Sequence, residues 1–552
     1  MTTDENQPWS QVSPDLAKRP LVGVEKVLNY TEYYQNGNFQ LTIALLFETG
    51  IASETLCERL PLALWSVRTR LPELGTWTVT NDQSAELDLD HALWQPIRSL
   101  EQAQQWLHDT AVVVNDGTTV QQMVDRLSNR RIEPVGKQFH VYLVCDPLYG
   151  ASGLIVNASH VLNGHRALFQ GELIFEALLN PRISDAIRQH QDAGAALAAM
   201  FKPEELSESL AKLPQSLNTA YADKFQPGAS EIAAGFHKVG EKLANGAQPS
   251  IGIPRFEAPS AKPAYSLGTY DGVHMSMLNL RSRIKAADNQ NLKRACKKNG
   301  ASVPSLVYAC IVNSIDRRCG SSTGSDGAAL GANLAYSAHA SRWMPAETFM
   351  ERSPVNMAIV LGSGYLSPEE LQPGQRGSNL DEAGLFALAR TIRQKQDDFL
   401  DTPHIIGAMP DLGEQVSSQL AQAAERQRQA GTDWRLALSE TSPVVCPPTL
   451  TSQGVIPVKR FYTAQGASNK LQLEQPAEEY LEFVDICSGG RTTDASVCFA
   501  MFTHAGALTL QAHFDSHFFD AKLVRSILDD VVSQLRAAAA SASLTSPDQA
   551  KL

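Results

Sequence analysis

Strand-like apolar runs and amphipathic helical stretches alternate in both halves of the chain, and this order limits the folds it can adopt. In the first half, a largely buried strand is predicted over 38–48, followed by a helix that begins at Ser53. A hairpin follows, with strands at 138–146 and 153–159. An apolar helix over 166–179 then covers this predicted sheet.

The second half repeats this alternation of strands and helices. Helices are predicted near 285–298, at 303–315 and at 382–400, and a closing helix is capped by Asp520. The predicted strands are at 270–278, 328–336, 453–459, 480–487, 496–503 and 507–513. Mixed strands with helices between them predict an α+β fold, with two lobes that each contain a mixed sheet covered by helices.

Length and charge narrow the function classes. At 552 residues and 43% hydrophobic composition, the chain can bury two ordinary cores. It carries 47 basic and 59 acidic residues, a net charge of −12, with no block of Lys or Arg. Such a surface repels polyanions, so a nucleic-acid partner is not expected.

Cysteine usage and the N-terminal sequence bear on location. The eight cysteines are far apart and form no C-x-x-C pair, which is typical of buried thiols in a reducing compartment. The first 20 residues lack the apolar segment of a secretory signal, and the sequence has no uncharged apolar run of membrane-spanning length. The sequence therefore predicts a cytoplasmic protein without a membrane span.

Composition suggests where the lobes begin and end. A segment rich in Gly, Pro, Ala and Ser between the halves is predicted to be the linker. The predicted regions are a flexible tail 1–19, an N-terminal lobe 20–220, the linker 221–264, a C-terminal lobe 265–537 and a disordered tail 538–552.

His160 stands where the second hairpin strand ends and the next helix begins. A histidine after a strand is, taken alone, most often a turn or core residue. Its imidazole is nevertheless the side chain whose ordinary pKa suits a general base near neutral pH. His160 is therefore the candidate catalytic residue.

The layout over roughly 20–540 resembles the chloramphenicol acetyltransferase-like superfamily, which includes peptide-synthetase condensation domains and fungal trichothecene 15-O-acetyltransferases. The resemblance rests on a first helix ending in "TRLPEL", a hairpin that delivers His160, a linker, a second lobe and the segment "PPTLTSQGVI". It implies two pseudo-symmetric lobes with a tunnel between them.

The superfamily signature H-x-x-x-D-G is altered in this chain, which has His160, Val161, Leu162, Asn163, Gly164 and His165 in succession. Gly164 stands in place of the aspartate and His165 in place of the glycine. In the family, that aspartate is structural, because its pairing with an arginine fixes the loop that aims the histidine. Asn163 and Gly164 favour a tight turn, which can hold the loop by other means.

The resemblance assigns roles to particular residues. His160 is expected to be the general base, and Thr451 or Ser452 to stabilise the oxyanion, with Asn163, Gly164 and His165 as supporting residues. The expected reaction moves an acyl group, acetyl in the first instance, from coenzyme A to a hydroxyl of a small secondary metabolite. Acyl-CoA is then a co-substrate and no cofactor is permanently bound. An acyl carrier protein is a second candidate donor, and a monomer is expected.

Two alternatives remain open. A protein of the same fold could hold a polyene in a reactive conformer and promote a Diels-Alder cyclisation, with His160 or His165 donating a hydrogen bond to a carbonyl. It could also be a non-catalytic binding protein with a degraded motif. The missing aspartate keeps both hypotheses open.

Other candidate sites are weaker. The segment "HFDSHFFD" contains His513, Asp515, His517 and Asp520, and its alternation places the first three on one strand face, which suggests zinc. Asp520 is needed as a helix cap, and the family uses no metal, so no metal site is predicted. The Gly-rich segment 320–327 lacks a following lysine and is predicted to be a surface loop.

Overall fold

The fold is described from a computed structural model of the chain. It covers residues 9–78, 88–132, 138–145, 152–163, 166–245, 248–256, 276–319, 329–344, 355, 359–371, 380–429, 445–456, 458–464, 466–468, 479–493 and 496–544. Among these residues, no helix combines the length and apolar character needed to cross a membrane.

The structure is a mixture of strands and helices, as the sequence predicts. The strands are β1 (Ser10–Ser13), β2 (Leu16–Pro20), β3 (Leu41–Thr49), β4 (Thr76–Trp77), β5 (His91–Trp94), β6 (Ala111–Val114), β7 (Phe139–Val144), β8 (Ser152–Ala158), β9 (Ile253–Pro254), β10 (Met277–Ile284), β11 (Ala332–His339), β12 (Ile359–Leu366), β13 (Val445–Cys446), β14 (Thr449–Val455), β15 (Phe461–Thr463), β16 (Gly466–Ser468), β17 (Tyr480–Gly490), β18 (Val497–His504) and β19 (Ala507–Asp515). The helices are α1 (Val24–Tyr34), α2 (Ser53–Arg70), α3 (Leu100–Thr110), α4 (Val120–Ser128), α5 (His160–Asn163), α6 (Arg166–Leu178), α7 (Pro181–His190), α8 (Ala193–Met200), α9 (Leu206–Leu210), α10 (Leu217–Phe225), α11 (Ala229–Asn245), α12 (Ala286–Lys298), α13 (Val303–Cys319), α14 (Glu382–Leu400), α15 (Ile405–Gln429) and α16 (Ala521–Leu544).

The first lobe contains a seven-stranded sheet with the order β16-β15-β17-β3-β8-β7-β6. Its central strands are apolar on both faces, because α2 and α6 cover one face and α4 covers the other. Strands β15 to β17 come from the second half of the chain, and β17 pairs antiparallel with β3 along its whole length. The first sheet is therefore completed by the second half of the sequence.

The second lobe contains a six-stranded sheet with the order β10-β19-β18-β14-β11-β12. One face is apolar and packs against α12, α13, α14 and α16, with Leu508, Leu510 and Phe514 among its buried residues. The other face carries polar side chains, including Gln511 and His513, which are also buried. Buried polar groups must find hydrogen-bond partners, and these come partly from the first lobe.

Most predicted elements are present with small shifts. The hairpin forms from β7 and β8, α14 has the predicted bounds, and Asp520 caps α16 through the main-chain N–H of Lys522 at 2.9 Å. Helix α2 continues through Pro61 without a break. The strand predicted at 453–459 is instead β14, which begins four residues earlier at Thr449 and contains Thr451 and Ser452. The loop predicted at 320–327 lies outside the described residues.

The segments predicted to be tails or linker contain regular structure. Strands β1 and β2 lie within residues 10–20, and β2 pairs with β5 while the buried Arg19 forms an ion pair with Glu25 at 2.7 Å. The predicted linker contains α11, which packs against α15. Helix α16 continues past residue 537, where Ala538 and Ala539 are buried. Composition missed these elements because their partners are distant in sequence.

Candidate active site

His160 is the first residue of α5, directly after the buried strand β8 and the fully buried Ser159. Its side chain is partly buried, and its Nδ1 atom is buried without a hydrogen-bond partner among the described residues. Burial lowers the pKa of His160 below its ordinary value, and its own main-chain carbonyl offsets part of this effect. The lowered pKa favours the neutral imidazole, which is the form that can accept a proton.

His160 lies beside the junction of the lobes. Ala158, which ends β8, is aligned with Leu41 of β3, and Leu41 is aligned with Gly490 at the end of β17. Gly490 faces the His513 ring of the second lobe, since a Cβ at this glycine would lie 3.6 Å from the His513 Cγ atom. Adjacent strands are about 4.8 Å apart, so the end of β8 lies roughly 10 Å from this contact.

Polar contacts join the lobes next to this point. The Ser488 hydroxyl donates to the Gln511 side-chain oxygen at 2.6 Å, and the Gln511 amide donates back to the Ser488 carbonyl at 3.3 Å. Arg281 of β10 forms an ion pair with Asp485 of β17 at 2.7 Å. These contacts fix the second sheet against β17, the strand that the second half of the chain contributes to the first sheet.

Thr451 and Ser452 point to opposite faces of β14, because successive side chains of a strand alternate. Thr451 is aligned with Ala500, which is aligned with Gln511, so Thr451 lies on the polar face that meets the first lobe. Its hydroxyl lies 2.5 Å from that of Ser337 on β11. Ser452 is aligned with the buried Met501 and lines a cavity of about 420 Å³ beside α14.

A buried carboxylate that the sequence did not indicate holds the main chain at His160. Glu32 of α1 accepts the main-chain N–H of His160 at 2.7 Å and the Ser159 hydroxyl at 3.1 Å, both through Oε1. Burial raises the pKa of Glu32 to about 7, although these hydrogen bonds and Arg131 act in the opposite direction. Nothing in the local sequence marks Glu32, because it is 128 residues from its partner.

The structure describes only part of the altered motif. Asn163 is the last residue of α5, whereas Gly164 and His165 lie outside the described residues. Arg166, at the start of α6, forms a buried ion pair with Glu73, which belongs to the "TRLPEL" segment. The helix that follows the motif is therefore anchored by an acid from another element.

The cluster considered for zinc is organised otherwise. His513 bonds through Nδ1 to the Asn279 side-chain oxygen at 2.7 Å, and His517 bonds through Nδ1 to Asp515 at 2.8 Å. β19 ends at Asp515, so the prediction that His517 continues the same strand face was wrong. Over the described residues, no group of three or more His, Cys, Asp or Glu side chains is placed to hold a metal.

Comparison with solved structures places the fold in a known class. The TRI3 trichothecene 15-O-acetyltransferase from Fusarium sporotrichioides has a similar structure, with a TM-score of 0.71 and 14% identity over 97% of this chain and 99% of that one. The condensation domain of the Monacolin K polyketide synthase MokA gives a TM-score of 0.52 at 10% identity, covering 97% of this chain and 98% of that one. The two lobes therefore have the chloramphenicol acetyltransferase-like fold predicted from the sequence.

No family model matches the chain. Acyl-CoA-dependent acyltransferase MAC2 of Pseudozyma antarctica (strain T-34) is 87% identical over 552 residues, which is 100% of both chains. Acyl-CoA-dependent acyltransferase MAC1 of Mycosarcoma maydis is 24% identical, over 98% of this chain and 90% of that protein. The chain belongs to the acyl-CoA-dependent acyltransferase family that includes MAC2, and it is an acyltransferase.

Proposed function

We propose that the enzyme transfers an acyl group from acyl-CoA to a hydroxyl of a small secondary metabolite, with His160 as the general base. The observation that carries this proposal is the partly buried imidazole of His160 at the start of α5, beside the junction of the lobes, where burial lowers its pKa. Membership of the acyl-CoA-dependent acyltransferase family favours acyl transfer over cyclisation or simple binding.

The proposed reaction needs one proton acceptor. Because Nδ1 of His160 is buried, Nε2 is the nitrogen that takes the proton of the acceptor hydroxyl. The hydroxyl oxygen forms a bond to the thioester carbonyl carbon, the carbon–sulfur bond then breaks, and the proton passes from the imidazolium to the thiolate. A positioned base contributes about 10²–10⁴ in rate.

Thr451 is the better of the two predicted oxyanion donors. Its hydroxyl lies on the sheet face that meets the first lobe, whereas Ser452 faces the helices. A fixed donor at the developing oxyanion contributes roughly 10²–10³ in rate. We assign this role to Thr451, with Ser337 fixing the direction of its hydroxyl.

The test measures thiol release from acetyl-CoA with a panel of small alcohols. His160→Ala is expected to lower kcat by at least ~10²-fold, because the base is lost. His140→Ala is the matched control, since His140 lies on the neighbouring strand β7 and its Nδ1 bonds to the Asp109 carbonyl at 2.9 Å. Full activity in His160→Ala, or an equal loss in both variants, would contradict the assignment.

The choice of acetyl as the acyl group is part of the same proposal and is tested separately. The same thiol-release assay is run with acetyl-, hexanoyl- and palmitoyl-CoA at equal concentrations. If a longer acyl-CoA has a higher kcat/KM, that acyl group is the preferred substrate in place of acetyl. The proposed role of His160 does not depend on this result.

A further inference from the structure

Helix α5, which begins with His160, contains only four residues. A helix of this length is not stable by itself, since nucleation is costly and its first N–H groups have no partners within the helix. The direction of the His160 side chain therefore depends on whatever satisfies those groups from outside.

Two side-chain oxygens satisfy the first two of these N–H groups, those of His160 and Val161. Glu32 Oε1 accepts the His160 N–H at 2.7 Å, and the Ser159 hydroxyl accepts the Val161 N–H at 3.3 Å. The Ser159 hydroxyl donates in turn to Glu32 Oε1 at 3.1 Å. Both hydrogen bonds at the start of α5 therefore depend on Glu32, one directly and the other through Ser159. Glu32 acts as an N-terminal helix cap that comes from another element.

Glu32 is itself firmly placed. It is 4% exposed and lies on α1, which packs against α15. Arg131 donates to the main-chain carbonyls of Glu32 and Tyr33 at 3.4 and 3.1 Å. The carboxylate is therefore held by elements outside the segment that it caps, as a positioning group must be.

We propose that Glu32, on α1, is a positioning residue for His160. It takes over the structural role that the aspartate has in the family motif, where this chain has Gly164. This inference rests on the proposed role of His160 as the base. The carboxylate contacts the main chain of His160, so it acts through the orientation of the imidazole and does not itself take part in proton transfer.

The other end of the segment has a matching anchor. Arg166 donates through Nε to Glu73 at 3.1 Å, and a second contact runs from Nη2 to the same oxygen. Both side chains are buried. Since Arg166 begins α6, glutamates from other elements hold the two residues that flank the motif's turn, Glu32 at His160 and Glu73 at Arg166.

The test compares Glu32→Ala, Glu32→Gln and Ser159→Ala in the full-length enzyme. Glutamine keeps an oxygen that can accept the His160 N–H, so Glu32→Gln should keep kcat within about tenfold of wild type. Alanine removes the acceptor, and a misplacement of ~1 Å costs on the order of 10²-fold in rate. The KM for acetyl-CoA should change by less than about threefold, because the Glu32 carboxylate is buried and bonds to the main chain of His160.

Glu172→Ala is the matched control. Glu172 also accepts a main-chain N–H, from Lys459 at 3.0 Å, and a hydroxyl, from Tyr462 at 2.6 Å, but it joins α6 to β15 and to the residues just before that strand. Glu172→Ala thus removes an equivalent set of bonds without touching α5. It should leave kcat within about threefold of wild type.

A second measurement needs no acceptor alcohol. Diethyl pyrocarbonate modifies neutral imidazoles, and mass spectrometry gives the rate at His160. This rate should change several-fold in Glu32→Ala and Ser159→Ala, and stay near the wild-type rate in Glu32→Gln and Glu172→Ala. Equal rates in all variants would overturn the inference even if no acceptor is found.

The outcomes separate this inference from the proposed function. If His160→Ala keeps activity, the base assignment fails whatever the Glu32 variants do. If His160→Ala is inactive while folded Glu32→Ala has the wild-type kcat, the positioning inference alone fails. If Glu32→Ala does not fold, Glu32→Met, which fills more of the same space but offers no acceptor to the His160 N–H, takes its place, and a wild-type kcat and modification rate in that folded variant would overturn the inference.

Discussion

Replacing Glu32 by glutamine is expected to stabilise the protein increasingly as the pH rises from 5 to 8. Burial raises the pKa of the Glu32 carboxyl from its ordinary 4.5 to about 7. Between these values the unfolded chain has lost a proton that the folded protein retains. The free energy of unfolding therefore falls as the pH rises through this window and stays constant above it.

The size of the effect follows from the shift in pKa. A pKa difference of about 2.5 units corresponds to a penalty that approaches roughly 3 kcal/mol above pH 7 and is about 1 kcal/mol at pH 5. Glutamine carries no charge at either pH. The difference in unfolding free energy between Glu32→Gln and wild type should thus grow by about 2 kcal/mol from pH 5 to pH 8.

The assay is urea unfolding followed by far-UV circular dichroism at pH 5, 6, 7 and 8, with a second spectroscopic probe to check that unfolding is two-state. Glu241→Gln is the control, because Glu241 is solvent-exposed. Its replacement removes one surface charge and no buried charge. A difference between Glu32→Gln and wild type that is the same at pH 5 and pH 8 would refute the argument that this carboxylate is strongly desolvated.

Two further predictions concern the junction of the lobes. Gly489→Ala places a Cβ 2.0 Å from the Ser128 hydroxyl oxygen, so we expect it to lower the free energy of unfolding by about 1–3 kcal/mol and to lower the melting temperature. Gly490→Ala is the control, because the atom nearest to its Cβ is 3.6 Å away, and it should leave the melting temperature nearly unchanged. Burial lowers the pKa of His513 to about 4. The ordinary pKa of histidine is 6.5, so between pH 7 and pH 4.5 the unfolded chain binds a proton at this residue while the folded protein largely does not. The free energy of unfolding should therefore fall by about 2 kcal/mol over this range. His513→Gln should remove most of this loss in urea unfolding at pH 7 and pH 4.5, and an unchanged loss would contradict the prediction.

The sequence predicts elements whose signals are local. The hairpin that delivers His160 is visible because apolar residues run through both strands and turn residues separate them. The bounds of α14 and the Asp520 cap of α16 follow from helical periodicity and from cap chemistry. His160 is the candidate base because it lies directly after such a strand.

The role of Glu32 and the orientation of Thr451 could not be predicted in the same way. Glu32 is one glutamate in a polar helix, and only the fold shows that its carboxylate faces Ser159 and His160. Thr451 and Ser452 are equivalent in the sequence, because alternation predicts opposite faces but not which face meets the first lobe. That choice depends on the pairing of β14 with β18, which places Thr451 beside Ala500.

The chain crosses from the first sheet to the second at this junction. β17 belongs to the first sheet, and β18, which follows it, belongs to the second. Arg491 lies in the crossing, is buried, and donates to the carbonyls of Asn36 and Ser128 at 2.7 and 3.2 Å. The Phe39 N–H bonds to the Arg491 carbonyl at 2.6 Å, so the start of β3 is tied to the same point. Since β3 also pairs with β8, the strand that ends before His160, the start of β3 links this crossing to the strand that carries the candidate base.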